Sequence, residues 1–243
     1  MLVKKLAAAA AAAVVMSTAG FGASAAEIVV NGSTTVLPIV QKALEGYSHE
    51  AGAAAISLSG GGSGNGIKAL IDGLTDVAMS SRDIKTSETD LAKSRGVTPY
   101  RIPVAVDAIV PVVNNANPVK NVTLATLKAI YEGKIRNWKD VGGKNAPIVV
   151  VSRDSSSGTF ETWEELVMKK ARVTPRALLQ ASNGTVVQTV AQNTNAIGYI
   201  GLGYVDRQTK ALTIDDKAAT AAAAKTKAWP LSRELYFFTN GEP

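Results

Sequence analysis

The chain contains no cysteine. Disulfides and thiolate metal sites are therefore excluded, and so is a lipid anchor attached through a cysteine. Histidine is reduced to one, His49, in Tyr47-Ser48-His49-Glu50, where it reads as a solvated helix end. A Ser-His-Asp triad would have to recruit it, far from any glycine-flanked serine elbow. Around Ser63 the last position of Gly-x-Ser-x-Gly is taken by Asn65. Aromatic residues make up 5% of the chain, too few near the junctions described below for a cage around an organic cation. The glycine-rich stretch from Gly60 to Gly66 is followed by Ile67-Lys68 rather than Lys-Ser or Lys-Thr, so it is no Walker motif, and it fails Gly-x-Gly-x-x-Gly as well.

Basic charge is present but modest. The formal charge of +6 falls by two, to +4, if Lys4 and Lys5 leave with a leader. That excess is too dispersed for a nucleic-acid footprint and suits weak steering of small anions. Residues 1–26 read as that leader: Lys4 and Lys5, an apolar stretch from Leu6 to Val15, then Ala23-Ser24-Ala25 as a cleavage site. The apolar part is short and alanine-rich, unlike a membrane span. A cleaved chain without a lipid anchor is expected in the periplasm of a two-membrane bacterium.

Strand runs alternate with helical patterns, which predicts an α/β fold with largely parallel sheets. A crossover between two lobes is expected near residue 112, and a return near Pro230. Lobe 1 then holds residues 27–112 plus 231–243, and lobe 2 residues 113–230. Thr123 is a candidate helix cap before Leu124, Leu127 and Ile130, and Ala218 to Ala224 suggests a short surface helix or loop.

Three junctions carry the chemistry. Ile148 to Val151 ends in Ser152-Arg153-Asp154-Ser155-Ser156-Ser157-Gly158-Thr159, directly before a helical pattern bearing Phe160, Trp163, Leu166 and Val167 on one stripe. Ile28-Val29-Val30 runs into Asn31-Gly32-Ser33-Thr34-Thr35, with Pro38 in the opening turn of the helix that follows. Ala55 to Leu58 runs into Ser59-Gly60-Gly61-Gly62-Ser63-Gly64-Asn65-Gly66, with Ile67, Leu70 and Ile71 as the next apolar stripe. Each helix start leaves amide hydrogens without intrahelical partners. A phosphate dianion needs about two units of positive charge. Three helix N-termini at roughly +0.5 each supply about +1.5, and Arg153 adds one more. No metal is required.

These motifs resemble the phosphate-binding subunits of bacterial phosphate ABC transporters, which are type II periplasmic binding proteins. The resemblance rests on Gly32 to Pro38, Gly62 to Gly66, Arg153-x-Asp-x-Ser157-Gly158-Thr159, Asn183-Gly184, Ala196 to Tyr204 and Pro230 to Pro243. It implies two α/β lobes, each a mostly parallel sheet flanked by helices, clamping inorganic phosphate between them. It implies a monomer that delivers phosphate to a membrane permease, with no catalysis and no cofactor. Carried over by position, Ser33, Thr34, Thr35, Ser63 and Gly64 would serve from one lobe, and Arg153, Ser157, Gly158 and Thr159 from the other.

Two positions depart from the family. Where an aspartate often follows Val77-Ala78-Met79-Ser80, this chain has Ser81 and then Arg82. An ionised carboxylate only accepts hydrogen bonds and so selects an anion that carries a proton; a serine hydroxyl can also donate. Ser81 therefore opens the alternative of sulfate or another tetrahedral oxyanion. Arg82 points either inward as a second cation or outward to solvent. Family chains also continue beyond a segment like Tyr236 to Pro243 with a further helix, which lobe 1 is expected to lack. Asp107, alone in an apolar run, is either paired in the hinge region or a substitute acceptor for a phosphate proton. A phosphate-ester hydrolase would need a metal cluster or an activated nucleophile, and neither is legible.

Overall fold

The computed structural model describes residues 27–243, so the leader lies outside the described residues. The first segment of the fold comprises β1 (Ile28–Gly32), α1 (Leu37–Tyr47), β2 (Ile56–Gly60), α2 (Ser63–Ile71), β3 (Val77–Ser80) and α3 (Thr86–Ser94). The long strand β4 (Pro99–Asn114) leads out of it. A second segment follows: β5 (Asn121–Val122), α4 (Leu124–Tyr131), β6 (Val149–Arg153), α5 (Gly158–Leu166), β7 (Leu178–Gln180), α6 (Asn183–Gln192), β8 (Ala196–Gly201), β9 (Thr209–Ala211), β10 (Thr213–Ile214) and α7 (Ala221–Lys225). Strand β11 (Ser232–Asn240) then returns to the first.

The fold is α/β with helices flanking the strands, and the sheet runs as one continuous path, β2-β1-β3-β11-β4-β8-β6-β7, with β9 beside β4. Pairing is parallel at both flanks, where β2, β1 and β3 and then β8, β6 and β7 lie side by side. It is antiparallel in the middle, where β11 and β4 cross between the halves. Strand β4 joins them because its composition changes along its length. Its first half, Pro99 to Val106, is exposed or partly exposed, whereas Ala108 to Val113 is buried throughout, as a strand covered on both faces requires.

Each half has its own core. Met79 and Leu235 pack with Val30, Val36 and Val40 on one face of the first half, while Ala78, Tyr236 and Phe238 pack with Ile67, Leu70 and Ile71 on the other. The period-2 alternation of β3 and β11 supplies both faces. The larger core of the second half gathers Ile109, Val112, Trp138, Trp163, Val186, Ile197 and Tyr199. Local signals act as expected at several ends. Thr123 caps α4 by accepting from the Thr126 amide at 3.0 Å, Pro38 sits in the first turn of α1, and Thr220 caps α7 in the alanine-rich stretch.

Helix α2 starts earlier than its apolar stripe suggests, so Gly64 and Gly66 lie inside it. Glycine ordinarily weakens a helix interior. At Gly66 packing outweighs that: a Cβ there would stand 2.6 Å from the Gly32 Cα and 2.7 Å from the Asn31 carbonyl oxygen. The helix thus seats directly on the end of β1. Gly66→Ala is expected to lower stability by about 1–3 kcal/mol despite alanine's better helix propensity. Urea unfolding followed by circular dichroism checks the sign; stabilisation would mean that α2 does not press on β1.

Candidate functional site

The parallel strands at both flanks point their carboxyl ends at one volume, the usual ligand position in open α/β sheets. From β1 the chain turns through Ser33, Thr34 and Thr35, all buried. The Ser33 amide donates to the Met79 carbonyl at 2.8 Å, and the Ser33 hydroxyl accepts from the Thr35 amide at 3.2 Å. Ser63, the first residue of α2, accepts from the Ser81 amide at 3.0 Å, and the two hydroxyls lie 3.2 Å apart.

The start of α5 meets the start of α2. Ser157 caps α5 by accepting from the Phe160 amide at 3.2 Å. The amides of Gly158 and Thr159 find no acceptor among the described residues. Glycine is required at 158, because a Cβ would come within 2.4 Å of the Ser63 hydroxyl and 2.7 Å of the Ser81 hydroxyl. The Gly64 amide donates to the Ser156 carbonyl at 2.9 Å, which spends that amide on the junction itself. Asp154 accepts from the Ser156 amide at 2.9 Å and so braces the turn. Two positive helix ends thus face each other at contact distance.

Arg153 closes the cluster at the end of β6, with a residue exposure of 2%. Its Nε donates to the Gln180 carbonyl and its Nη2 to the Ala181 carbonyl, both at 2.9 Å. Nη1 is buried and has no partner among the described residues. A charged donor left so is costly unless something else accepts from it. Burial pushes the Arg153 pKa down, and the nearby Arg233 adds to that shift. Behind it the Arg153 amide donates to the Tyr199 hydroxyl at 3.2 Å. Burial pushes Tyr199 up to about 12, so the phenol stays neutral, and Trp163 stacks on its ring at 4.2 Å.

Two residues outside the sequence-derived set join the cluster. Asn183 opens α6, a fourth helix start, and its Nδ2 donates to the hydroxyls of Thr34 at 3.1 Å and Thr35 at 3.0 Å. Arg233 on β11 donates from Nη2 to the Thr159 hydroxyl at 3.0 Å and the Thr35 hydroxyl at 3.3 Å. It is held by Asp107, its cross-strand partner on β4, through Nε at 2.9 Å and Nη2 at 2.8 Å. The other Asp107 oxygen accepts from the Leu202 amide at 3.0 Å. Asp107 is therefore a hinge-strand ion-pair partner, with both oxygens engaged. The signal for Arg233 lay in the alternation Leu231, Arg233, Leu235: a charge on the inward side of a strand.

Arg82 is not brought in as a second free cation. Its guanidinium is clamped by Glu88, with Nη1 at 2.8 Å and Nη2 at 2.7 Å, and its Nε lies 2.6 Å from Glu161. Carboxylates from two helices attract it more strongly than a hydroxyl-lined junction can. Ser33, Thr34, Thr35, Ser63, Ser81, Arg153, Ser157, Gly158 and Thr159 gather as a set. The cluster is rich in donors, carries two guanidinium charges against one carboxylate, and suits a compact oxyanion stripped of water.

Known proteins share this architecture. A family profile described as a PBP superfamily domain matches residues 17–243. The phosphate-binding protein PstS of Staphylococcus saprophyticus is 32% identical over 91% of this chain and 72% of its own length. PstS of Bacillus subtilis is 30% identical over 93% and 74%. Among solved structures, a Clostridium perfringens protein assigned as a phosphate ABC transporter substrate-binding protein, with bound phosphate, superposes with a TM-score of 0.82. It shares 35% identity and covers 88% of this chain and 86% of its own. An ABC-type phosphate transport receptor from Vibrio cholerae gives a TM-score of 0.70 at 35% identity, with 88% and 87% covered.

The Asp107–Arg233 pair yields a stability prediction. Arg233→Met strands a buried carboxylate and is expected to lower stability by about 3–5 kcal/mol, whereas Arg233→Met combined with Asp107→Leu should recover at least half of that. Paired urea titrations measure both. A loss below about 1 kcal/mol in the single variant would mean that the pair is effectively solvated.

Proposed function

This chain belongs to the PBP superfamily and, within it, to the phosphate-binding subunits of bacterial phosphate ABC transporters; from that membership we propose that it captures inorganic phosphate in the periplasm and hands it to a membrane permease. It acts as a monomeric carrier without cofactor or turnover. The halves work as lobes, residues 27–112 with 231–243 against 113–230, and close on the anion from both sides.

The observation that carries this reading is the buried Nη1 of Arg153, without a partner among the described residues, together with the Gly158 and Thr159 amides, which lack one there too. An oxyanion oxygen accepts from these donors, and the hydroxyls of Ser63, Ser81, Thr35 and Thr159 rotate to donate to its other oxygens. Ser33, Thr34 and Ser157 shape the turns that aim those groups. Arg233 adds a second guanidinium from the floor, and Asn183 fixes the threonine hydroxyls. Each hydrogen bond to a charged group contributes roughly 1.5–3 kcal/mol, so a handful of them supports micromolar or tighter affinity. Titration calorimetry should give one phosphate per chain. Arg153→Ala should weaken binding roughly a hundredfold or more. Undiminished affinity in that variant would overturn the role of Arg153.

Sulfate is the second reading, and the engagement of Asp107 favours it. With that carboxylate committed to Arg233 and the Leu202 amide, and Ser81 at the family's aspartate position, no carboxylate of the cluster is left to demand a protonated oxygen. Sulfate is expected to compete for the phosphate site, and phosphate affinity to rise as its second proton leaves near neutral pH, because a seat made of donors offers no acceptor to a phosphate O–H. Competition titrations at about pH 6 and pH 8.5 measure this. Exclusion of sulfate at both values would assign selective acceptance to another group.

A further inference from the structure

We propose that Glu161, together with Arg82 and Lys85, forms an ionic latch across the mouth of the cleft, and that these residues set phosphate retention without touching the anion. The inference rests on the clamp reading above. Glu161 lies in the first turn of α5, the helix whose start presents the Gly158 and Thr159 amides. Arg82 and Lys85 lie between β3 and α3, on the opposite half. The Glu161 carboxylate stands 2.6 Å from Arg82 Nε and 2.8 Å from Lys85 Nζ.

Glu88 preorganises the arrangement. It grips Arg82 with both oxygens and also accepts from the Lys85 amide at 2.9 Å, which ties the guanidinium to the start of α3. Side-chain exposure is 9% for Arg82 and 14% for Glu161, so this pair is shielded from solvent in a way that surface pairs are not. Separation of the halves would take Glu161 away and leave Arg82 with Glu88. The first half then keeps Arg82, Lys85 and Arg101 against Glu88 and Asp83, a net charge of +1, facing Glu161, Glu164 and Glu165 of α5 together with Lys170, a net charge of −2. The charges attract across the gap, and closure places the pair in a poorly solvated setting.

The latch also answers an electrostatic problem. A carboxylate one turn from the anion seat repels an incoming anion unless it is neutralised. Arg82 and Lys85 neutralise Glu161 only when the cleft is closed. Closure thus improves the field at the seat as it seals it, and an anion already inside is held more firmly.

The test combines stopped-flow release of phosphate with an interlobe distance. The absence of native cysteine allows clean labelling at Lys93→Cys and Lys139→Cys, one exposed position in each half. Phosphate release should accelerate roughly three- to tenfold in Glu161→Gln and in Arg82→Gln, and the double variant should be no faster than the faster single variant. Lys85→Gln, at a half-exposed position, should give a smaller acceleration and keeps the test open if Arg82→Gln fails to fold. In phosphate-free buffer at low salt, Glu161→Gln should lengthen the interlobe distance. Raising KCl from about 0.05 to 0.5 M should lengthen it in the unsubstituted protein and little in the variant. Unchanged release rates, additive effects in the double variant, or identical distances in Glu161→Gln and the unsubstituted protein would overturn the latch. A protein that binds no phosphate would instead defeat the carrier reading, and the ligand-free distances would still decide the latch.

Discussion

The structure turns on a surplus of buried hydrogen-bond donors where the two halves of the sheet meet. Around the Thr35 hydroxyl oxygen stand Asn183 Nδ2, Arg233 Nη2 and the Thr159 hydroxyl, three groups about an atom that accepts at most two hydrogen bonds. Arg153 adds a guanidinium nitrogen without a partner among the described residues, and the start of α5 adds two amides in the same condition. Folded interiors ordinarily pair their polar groups. A cluster that departs from this rule by having too many donors, and not too many acceptors, is complementary to an anion with several oxygens.

Most of the surrounding structure serves to hold that mismatch in place. The glycine at 158 lets two helix starts approach within hydroxyl contact, and the stacked Trp163 and Tyr199 rings fix the backbone of Arg153 from behind. Asp107 and Arg233 lie opposite each other on the two strands that cross between the halves. Through them the floor of the site is linked to Thr35 and Ser81 on one side and to Thr159 and Leu202 on the other. A displacement of either half therefore changes the hydrogen bonding of one guanidinium. This links local donor geometry to the relative position of the halves.

Much of this was legible from residue order because local rules govern it. Strand ends running into Ser, Thr and Gly before an apolar helical stripe located β1, β2, β6 and the helices after them, and Thr123 and Ser157 cap where their position suggests. What escaped depends on partners distant along the chain. Gly64 and Gly66 read as loop until the contact of Gly66 with Gly32 shows why glycine stays inside a helix. Arg82 could not be oriented without Glu161, which folding alone brings to it. Asp107 left two readings open until Arg233 appeared across the strand pair. Asn183 stood in a segment noted only for its family likeness, and its amide gains meaning from Thr34 and Thr35 on the other half.

The central claim is that amide hydrogens from separate helix starts and the Arg153 guanidinium converge on one oxyanion. Amide and side-chain nitrogen NMR during titration with inorganic phosphate tests it most directly. The account predicts that the Gly158 and Thr159 amides and the Arg153 guanidinium signals move together and saturate at one anion per chain. Shifts confined to surface lysines, with those amides and Arg153 unmoved at saturation, would contradict it.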